Sequence, residues 1–320
     1  MPANLRKFFV PLQGLILTGT ALTVLFSVAT VFSGFHRYLE LFSHFKVQYL
    51  AISIILCFVL LLLRYFKILL VMTIVAALNA SFVLPWYVDR DNDVLGVTKT
   101  LKLMHSNVQT SNTEYHKLID LVRNENPDIL ILQETSEQWL ENLNDLNAVY
   151  PYVKTNPRDD NFGIALFSKL PFETVEETRW GPSDLPSLHA KVRVSDQLVS
   201  IITTHPLPPT GADYYWSRNL QLIDVADAVR LIDDPIILIG DLNITMWSGD
   251  YHPLETDTGL VNARNGFGIL PTWPTFLPVA KIPIDHCLVS AKFKVEHIEV
   301  GQDIGSDHLP LIVHLGLIKE

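Results

Sequence analysis

The residues with the most chemistry in this chain recur at one kind of place, where a short apolar run gives out. Asn107 follows LKLMHS, Glu134 follows DILILQ and His205 follows VSIITT. Asp241 and Asn243 follow PIILIG, Asp285 follows KIPI, and Asp307 and His308 precede LPLIV. Each alone has a plainer reading: a turn, a helix cap or an ordinary hydrogen-bonded histidine. As a set they offer hard oxygen ligands, which suit Mg2+ or Mn2+, together with imidazoles that move protons near neutral pH. Closely spaced Cys and His ligands are missing, so the set does not read as structural zinc. With only Cys57 and Cys287, a disulfide-stapled scaffold is excluded.

The elements that must position these groups are legible from apolar patterning. DILILQE and PIILIGDLN are continuous runs, as expected of strands buried on both faces. GIALFSK, IDHCLVS and LPLIVHLGL read as further strands. LHAKVRVSDQLVSIITTH alternates with period two on either side of Ser195-Asp196-Gln197, which predicts a hairpin. Helical spacing appears over 113–126, 136–146 and 212–232. Strands alternating with helices imply helices packed outside sheets, with polar groups gathered where the strands end.

The ordered set Asn107, LQE (Glu134), GIALFSK, TTHP (His205), GDLN (Asp241, Asn243), TWP, IDH (Asp285) and GSDHLP (Asp307, His308) resembles the endonuclease/exonuclease/phosphatase superfamily, over about 101–317. The resemblance implies a four-layer α/β sandwich, two mixed sheets face to face with helices on both outer sides, here in a membrane-anchored, bacterial-type member. It implies Glu134 as the principal Mg2+ ligand, with Asn107 and Asp307 nearby. It implies His308 as a general base or phosphate ligand, with Asp285 holding its tautomer, and His205, Asn243 and Asp241 around the scissile phosphate. Whether Asp241 or His308 activates water stays open. One position departs from the pattern: several nucleases of the family carry an acid two residues after the first Asn, and here that residue is Gln109. Trp247, Trp273, His189 and Arg218 are candidate substrate contacts, with packing as the plainer reading. His252 and His286 read as structural.

Charge divides the chain. Overall it has 320 residues and net charge −10, yet a mean hydropathy of +0.24. Residues 1–88 hold six cations and one anion, whereas 89–320 hold 18 cations and 33 anions. The first part contains charge-free stretches that predict transmembrane helices at about 9–33, 47–63 and 68–88. The expected organisation is a membrane anchor over 1–88, a linker over 89–98 and the phosphoesterase-like domain over 99–320. Arg6 and Lys7 favour a cytoplasmic N-terminus, which with three spans places the catalytic domain outside, at a plasma or inner membrane. Trp86 and Tyr87 fit an interfacial anchor. The expected activity is Mg-dependent hydrolysis of a phosphodiester or phosphomonoester. The expected partners are the lipid bilayer and a phosphoester substrate (lipid head group, small phosphodiester or nucleic acid), with no obligate protein partner. The alternatives are a DNA or RNA nuclease of the same fold and a catalytically inactive binding or sensory protein. The acidic second part lacks the overall basic footprint of a nucleic-acid platform.

Overall fold

The structure is a computed structural model that describes residues 3–88 and 96–319. The acid-rich stretch 89–93 and most of the expected linker lie outside the described residues. The chain divides into two compact units, Met1–Pro85 with Trp247–Asp250, and Trp86–Met246 with Tyr251–Glu320.

The first unit is helical: α1 (Ala3–Ala29), α2 (Arg37–Ser43), α3 (Lys46–Leu62) and α4 (Phe66–Val83). Two stretches, Leu12–Phe35 and Phe66–Tyr87, are long and apolar enough to cross a membrane. α3 has 17 residues, roughly 26 Å at 1.5 Å per residue, short of the ~30 Å hydrocarbon layer. It qualifies only together with α2, from which it is bent by 64°. Leu60, Met72 and Val75 form the packed centre, and the Asn79 amide donates to Ser27 Oγ at 2.9 Å. Elsewhere the helices turn apolar side chains outward, among them Leu15, Phe58, Leu70 and Ile74. Trp247 belongs to this unit, its indole donating to the Phe82 carbonyl at 3.0 Å.

The second unit contains β1 (Val97–Asn107), α5 (Tyr115–Glu125), β2 (Ile129–Gln133), α6 (Glu137–Asn142), β3 (Tyr152–Asn156) and β4 (Ile164–Ser168). There follow β5 (Phe172–Thr178), β6 (Ser187–Val194), β7 (Gln197–Thr204), α7 (Ala212–Val229), β8 (Ile236–Asp241) and α8 (Pro253–Thr256). The unit closes with β9 (Val261–Asn262), β10 (Asp285–Val289), β11 (Phe293–Val300) and β12 (Leu311–Ile318). Among the described residues these strands form two six-stranded mixed sheets, ordered β11-β12-β1-β2-β4-β3 and β5-β6-β7-β8-β10-β9. Each has one parallel pair, β1–β2 and β7–β8, whose crossover helices are α5 and α7. Parallel strands need such a crossover.

The sheets share a core that includes Leu103, Ile131 and Leu315 from one side and Ile201, Ile239 and Cys287 from the other. The outer face of the first sheet buries Met104, Leu130 and Leu132 against Leu118, Val122 and Trp139. On the second, α7 buries Leu222, Val225 and Val229, and its Gln221 amide donates to Thr204 Oγ1 of β7 at 2.8 Å.

This topology dictates where the site forms. β1, β2, β7 and β8 all finish at one end of the unit, and the antiparallel strands β10 and β12 begin there. Asp285 pairs in register with Asp241. The sheets are tied at this end by Gln133, whose amide donates to Thr203 Oγ1 at 3.1 Å and to the Thr204 carbonyl at 2.9 Å. Gly240 makes the crossing possible: a Cβ there would lie 2.5 Å from the Thr204 oxygen and 2.6 Å from Gln133 Nε2. Gly240→Ala is therefore expected to destabilise this unit by about 1–3 kcal/mol through overpacking. Denaturant titration of the detergent-solubilised chain measures this, and an unchanged midpoint would contradict the close approach.

Candidate active site

At the end of β1, the Asn107 amide donates to Glu134 Oε1 at 2.8 Å and approaches Asp241 Oδ2 at 3.3 Å. Asn107 Oδ1 accepts the Gln109 backbone N–H at 3.0 Å. Glu134 follows β2 directly. Its other carboxylate oxygen accepts the Thr110 N–H at 3.3 Å, while Thr110 Oγ1 donates to its carbonyl at 3.0 Å. Gln109, Glu134 and Asn243 all adopt left-handed backbone, with φ of 59°, 61° and 52°. Such conformations cost energy in non-glycine residues and cluster where a structure holds functional groups in place.

The centre of the cluster is His308. Its Nδ1 lies 2.9 Å from Asp285 Oδ2, and its Nε2 lies 3.5 Å from Asp241 Oδ2. His205 brings a second imidazole to the same oxygen, with Nε2 at 3.4 Å. Asp241, Asp285, His205 and His308 are all buried. Burial disfavours the charged form of His308, but Asp285 and Asp241 more than offset it and push its pKa up to about 10. Burial likewise opposes charge on His205, and contact with Asp241 and Glu134 raises its pKa on balance. Burial would raise Asp241 and Asp285, yet the adjacent imidazoles hold both carboxyls below the usual range. Glu134 is raised, because burial outweighs the support of His205, Asn107 and His308. Asp241, Asp285 and His308 each offer a ligand atom within 4.8 Å of the others, a candidate cation site.

Asp307 sits beside this cluster. Its backbone N–H donates to the Gln109 side-chain oxygen at 3.2 Å, and its Oδ2 accepts the Trp273 indole N–H at 3.1 Å. Thus the Gln109 side chain serves as a neutral acceptor for the last motif. Asn243 donates to the Pro206 carbonyl at 2.9 Å. Fully buried Arg218 donates to the Asn243 carbonyl at 2.9 Å, which braces the GDLN loop. His189 lies on the β6–β7 hairpin, 3.2 Å from Ser200 Oγ, and is not brought into the cluster. His286 is buried, with Nε2 2.8 Å from the Ile244 carbonyl. Burial and Arg264 hold it neutral, with its pKa down at about 3.

Several groups that shape the site carried no signal in the motifs. Gln133 Oε1 accepts the Asp241 N–H at 2.8 Å and faces His105 Nε2 at 3.1 Å. His105 in turn places Nδ1 3.5 Å from Asp285 Oδ1. Ser306 Oγ donates to the Asn107 carbonyl at 2.8 Å and accepts the His308 N–H at 3.1 Å. The one available clue was a polar Gln closing the fully buried strand β2, because a buried amide needs partners.

A profile of the Endonuclease/Exonuclease/phosphatase family matches residues 104–308, more than half of the chain. The chain belongs to the endonuclease/exonuclease/phosphatase family. Members of this family are in general phosphoester hydrolases, typically dependent on a divalent metal. No curated protein matches the chain. Among solved structures, the second unit resembles D. rerio TDP2 complexed with single strand DNA product, at 20% identity and TM-score 0.59, over 68% of this chain and 99% of that one. It also resembles the human Nocturnin catalytic domain with bound sulfate, at 18% identity and TM-score 0.57, over 70% and 97%. A third likeness is to an endonuclease/exonuclease/phosphatase from Beutenbergia cavernae, at 19% identity and TM-score 0.54, over 68% and 72%. At these identities the likeness establishes the DNase I-like sandwich fold.

The coupled pair His308–Asp285 has a signed pH dependence. His308 is raised, so its contribution to stability is complete below pH ~6.5 and is lost as pH rises through about 10. Asp285 is lowered, so its contribution is present above pH ~4 and is lost in acid. In EDTA, the stability difference between wild type and His308→Gln is expected to be largest between pH ~4 and ~6.5 and to shrink toward pH ~10. Chemical denaturation across that range is the measurement.

Proposed function

We propose that this chain is a membrane-anchored, divalent-metal-dependent phosphoesterase that hydrolyses a phosphodiester or phosphomonoester. The observation that carries this reading is His308 held between Asp285 and Asp241, in a cluster that also gathers His205, Asn107 and Glu134. Glu134, with Asn107 and Asp307 alongside, offers hard oxygen donors. Asp307 Oδ1 is buried with no hydrogen-bond partner, as suits an atom that faces a cation. These residues would hold Mg2+ or Mn2+, which when bound supplies Lewis-acid stabilisation of charge on the phosphoryl oxygens. We assign the Asp241–Asp285–His308 group to proton chemistry instead, because the 2.9 Å contact of His308 with Asp285 is that of an N–H···O hydrogen bond.

In this reading His308, kept protonated by its two carboxylates, offers its Nε2–H as a hydrogen bond to a phosphoryl oxygen and stays protonated throughout. Asp241 takes one proton from water as the water oxygen bonds to phosphorus and the P–O ester bond breaks. Protonated His205 donates to the departing ester oxygen, and the proton on Asp241 restores it across their 3.4 Å contact. Asp285 orients the His308 ring, and Arg218 fixes the loop that carries Asn243.

The anchor assignment rests on Leu12–Phe35 and Phe66–Tyr87, with the bent α2–α3 pair as a third crossing. Three crossings carry the second unit to the outer side of a plasma or inner membrane. Active alkaline phosphatase fused to the C-terminus in a bacterial host is the expected result, and an inactive fusion would reverse the orientation. A nuclease reading draws support from the likeness to TDP2 complexed with single strand DNA product. The excess of 15 anions over cations in 89–320 weighs against broad affinity for nucleic acid.

The detergent-solubilised full chain should hydrolyse bis-p-nitrophenyl phosphate with Mg2+ or Mn2+ and stop in EDTA. Glu134→Ala and His308→Ala should each lose at least ~10²-fold in kcat/KM. Activity near wild type in both variants would remove the site assignment. Parallel assays on DNA, RNA, phospholipids and inositol phosphates separate the substrate classes.

A further inference from the structure

Beside the site, the loop from Thr275 to Ala280 inverts the usual placement of apolar side chains. Phe276 is 75% exposed, Leu277 46% and Val279 79%, on four consecutive positions that include Pro278. The loop is firmly attached. The Thr275 N–H donates to the Asp307 carbonyl at 2.9 Å, and its Oγ1 donates to the Ser306 carbonyl at 2.8 Å. Trp273 and Ile282 exchange backbone hydrogen bonds across its base. The Trp273 indole bonds Asp307 Oδ2, and its ring centroid lies 6.4 Å from that of His308. Three outward apolar side chains are thus bolted to the last catalytic motif.

We propose that this loop is an apolar lip that enters the interface of a lipid bilayer, so that the phosphoester offered to the cluster is a lipid head group. The proposal rests on the phosphoesterase reading and narrows its substrate class. The same chain carries two stretches apolar enough to cross a membrane. A tether of that kind raises the effective concentration of a bilayer for the catalytic unit. The side chains fit this occupant. A run of exposed aliphatic and aromatic side chains favours the head group–acyl boundary. A platform for nucleic-acid bases would need several aromatic faces in a basic groove, whereas this lip has one exposed aromatic, in a net-acidic part of the chain.

Two measurements on the full chain in phosphatidylcholine nanodiscs test the lip. In a Cys57→Ala background, bimane is attached at Phe276→Cys or, as a control, at Asp196→Cys. Asp196 lies in the β6–β7 turn, at the strand ends away from the cluster, and Cys287 is fully buried. Brominated acyl chains should quench the probe at 276 at least about twofold more than the probe at 196, and equal quenching overturns the proposal. Secondly, Phe276→Ser/Val279→Ser should lower hydrolysis of a nanodisc phospholipid at least about tenfold, while bis-p-nitrophenyl phosphate turnover stays within about twofold. Equal losses on both substrates, no loss on the lipid, or a loss confined to a DNA oligonucleotide would each overturn it. A wild type that cleaves nothing removes the phosphoesterase reading, and the quenching comparison still judges the lip.

Discussion

Gln133 uses both amide hydrogens and both oxygen lone pairs, donating to Thr203 and Thr204 and accepting from Asp241 of the other sheet and from His105 of its own. Its orientation is therefore determined: a flipped amide would set donor against donor on one side and acceptor against acceptor on the other. Each buried group left unpaired would cost about 1–3 kcal/mol. The backbone of Asp241 is held from the opposite sheet by this one side chain, and the positions of His205 and His308 are defined against Asp241. The bare edge of Gly240 is the steric condition for the same bond.

Around that strut, charge is arranged by alternation. Asp285, His308, Asp241 and His205 follow one another at hydrogen-bond or near hydrogen-bond distances. Buried ions persist when each has an opposite neighbour and a hydrogen bond. Glu134 stands at the margin of this series, supported by Asn107 and the Thr110 backbone N–H. Its raised pKa marks a carboxylate whose surroundings compensate its charge incompletely. Gln109, bonded through its side-chain oxygen to the Asp307 N–H, adds no further negative charge at this crowded corner.

The legibility of the sequence follows burial. Strands β1, β2, β4, β8, β10 and β12 are visible as apolar runs because both faces are covered. The strands that patterning does not reveal are β3, β5, β9 and β11, and these are the four edges of the two sheets. Edge strands carry exposed and charged positions that blur the apolar signal, as in FETVEET of β5. The site divides similarly. Asn107, Glu134, His205, Asp241, Asp285 and His308 announce themselves at strand ends, and the fold brings them together. Gln133, Ser306 and His105 do not, because their roles are defined by partners remote in sequence. His189 shows the converse, a polar residue in an apolar run whose partner is the neighbouring strand. The first helices are visible as apolar stretches, and the expected 47–63 stretch falls on α3, but α2 and its 64° bend from α3 are not, since composition carries no record of them.

Asn107 and Glu134 come from one sheet, whereas His205, Asp241 and Asp285 come from the other, and His308 leads back into the first. Neither sheet alone holds all six of these residues. A chain in which one sheet has formed and the other has not therefore lacks part of the cluster. The architecture works as an interlock: the cluster is complete only when β12 pairs with β1 and carries His308 back to Asp285 and Asp241.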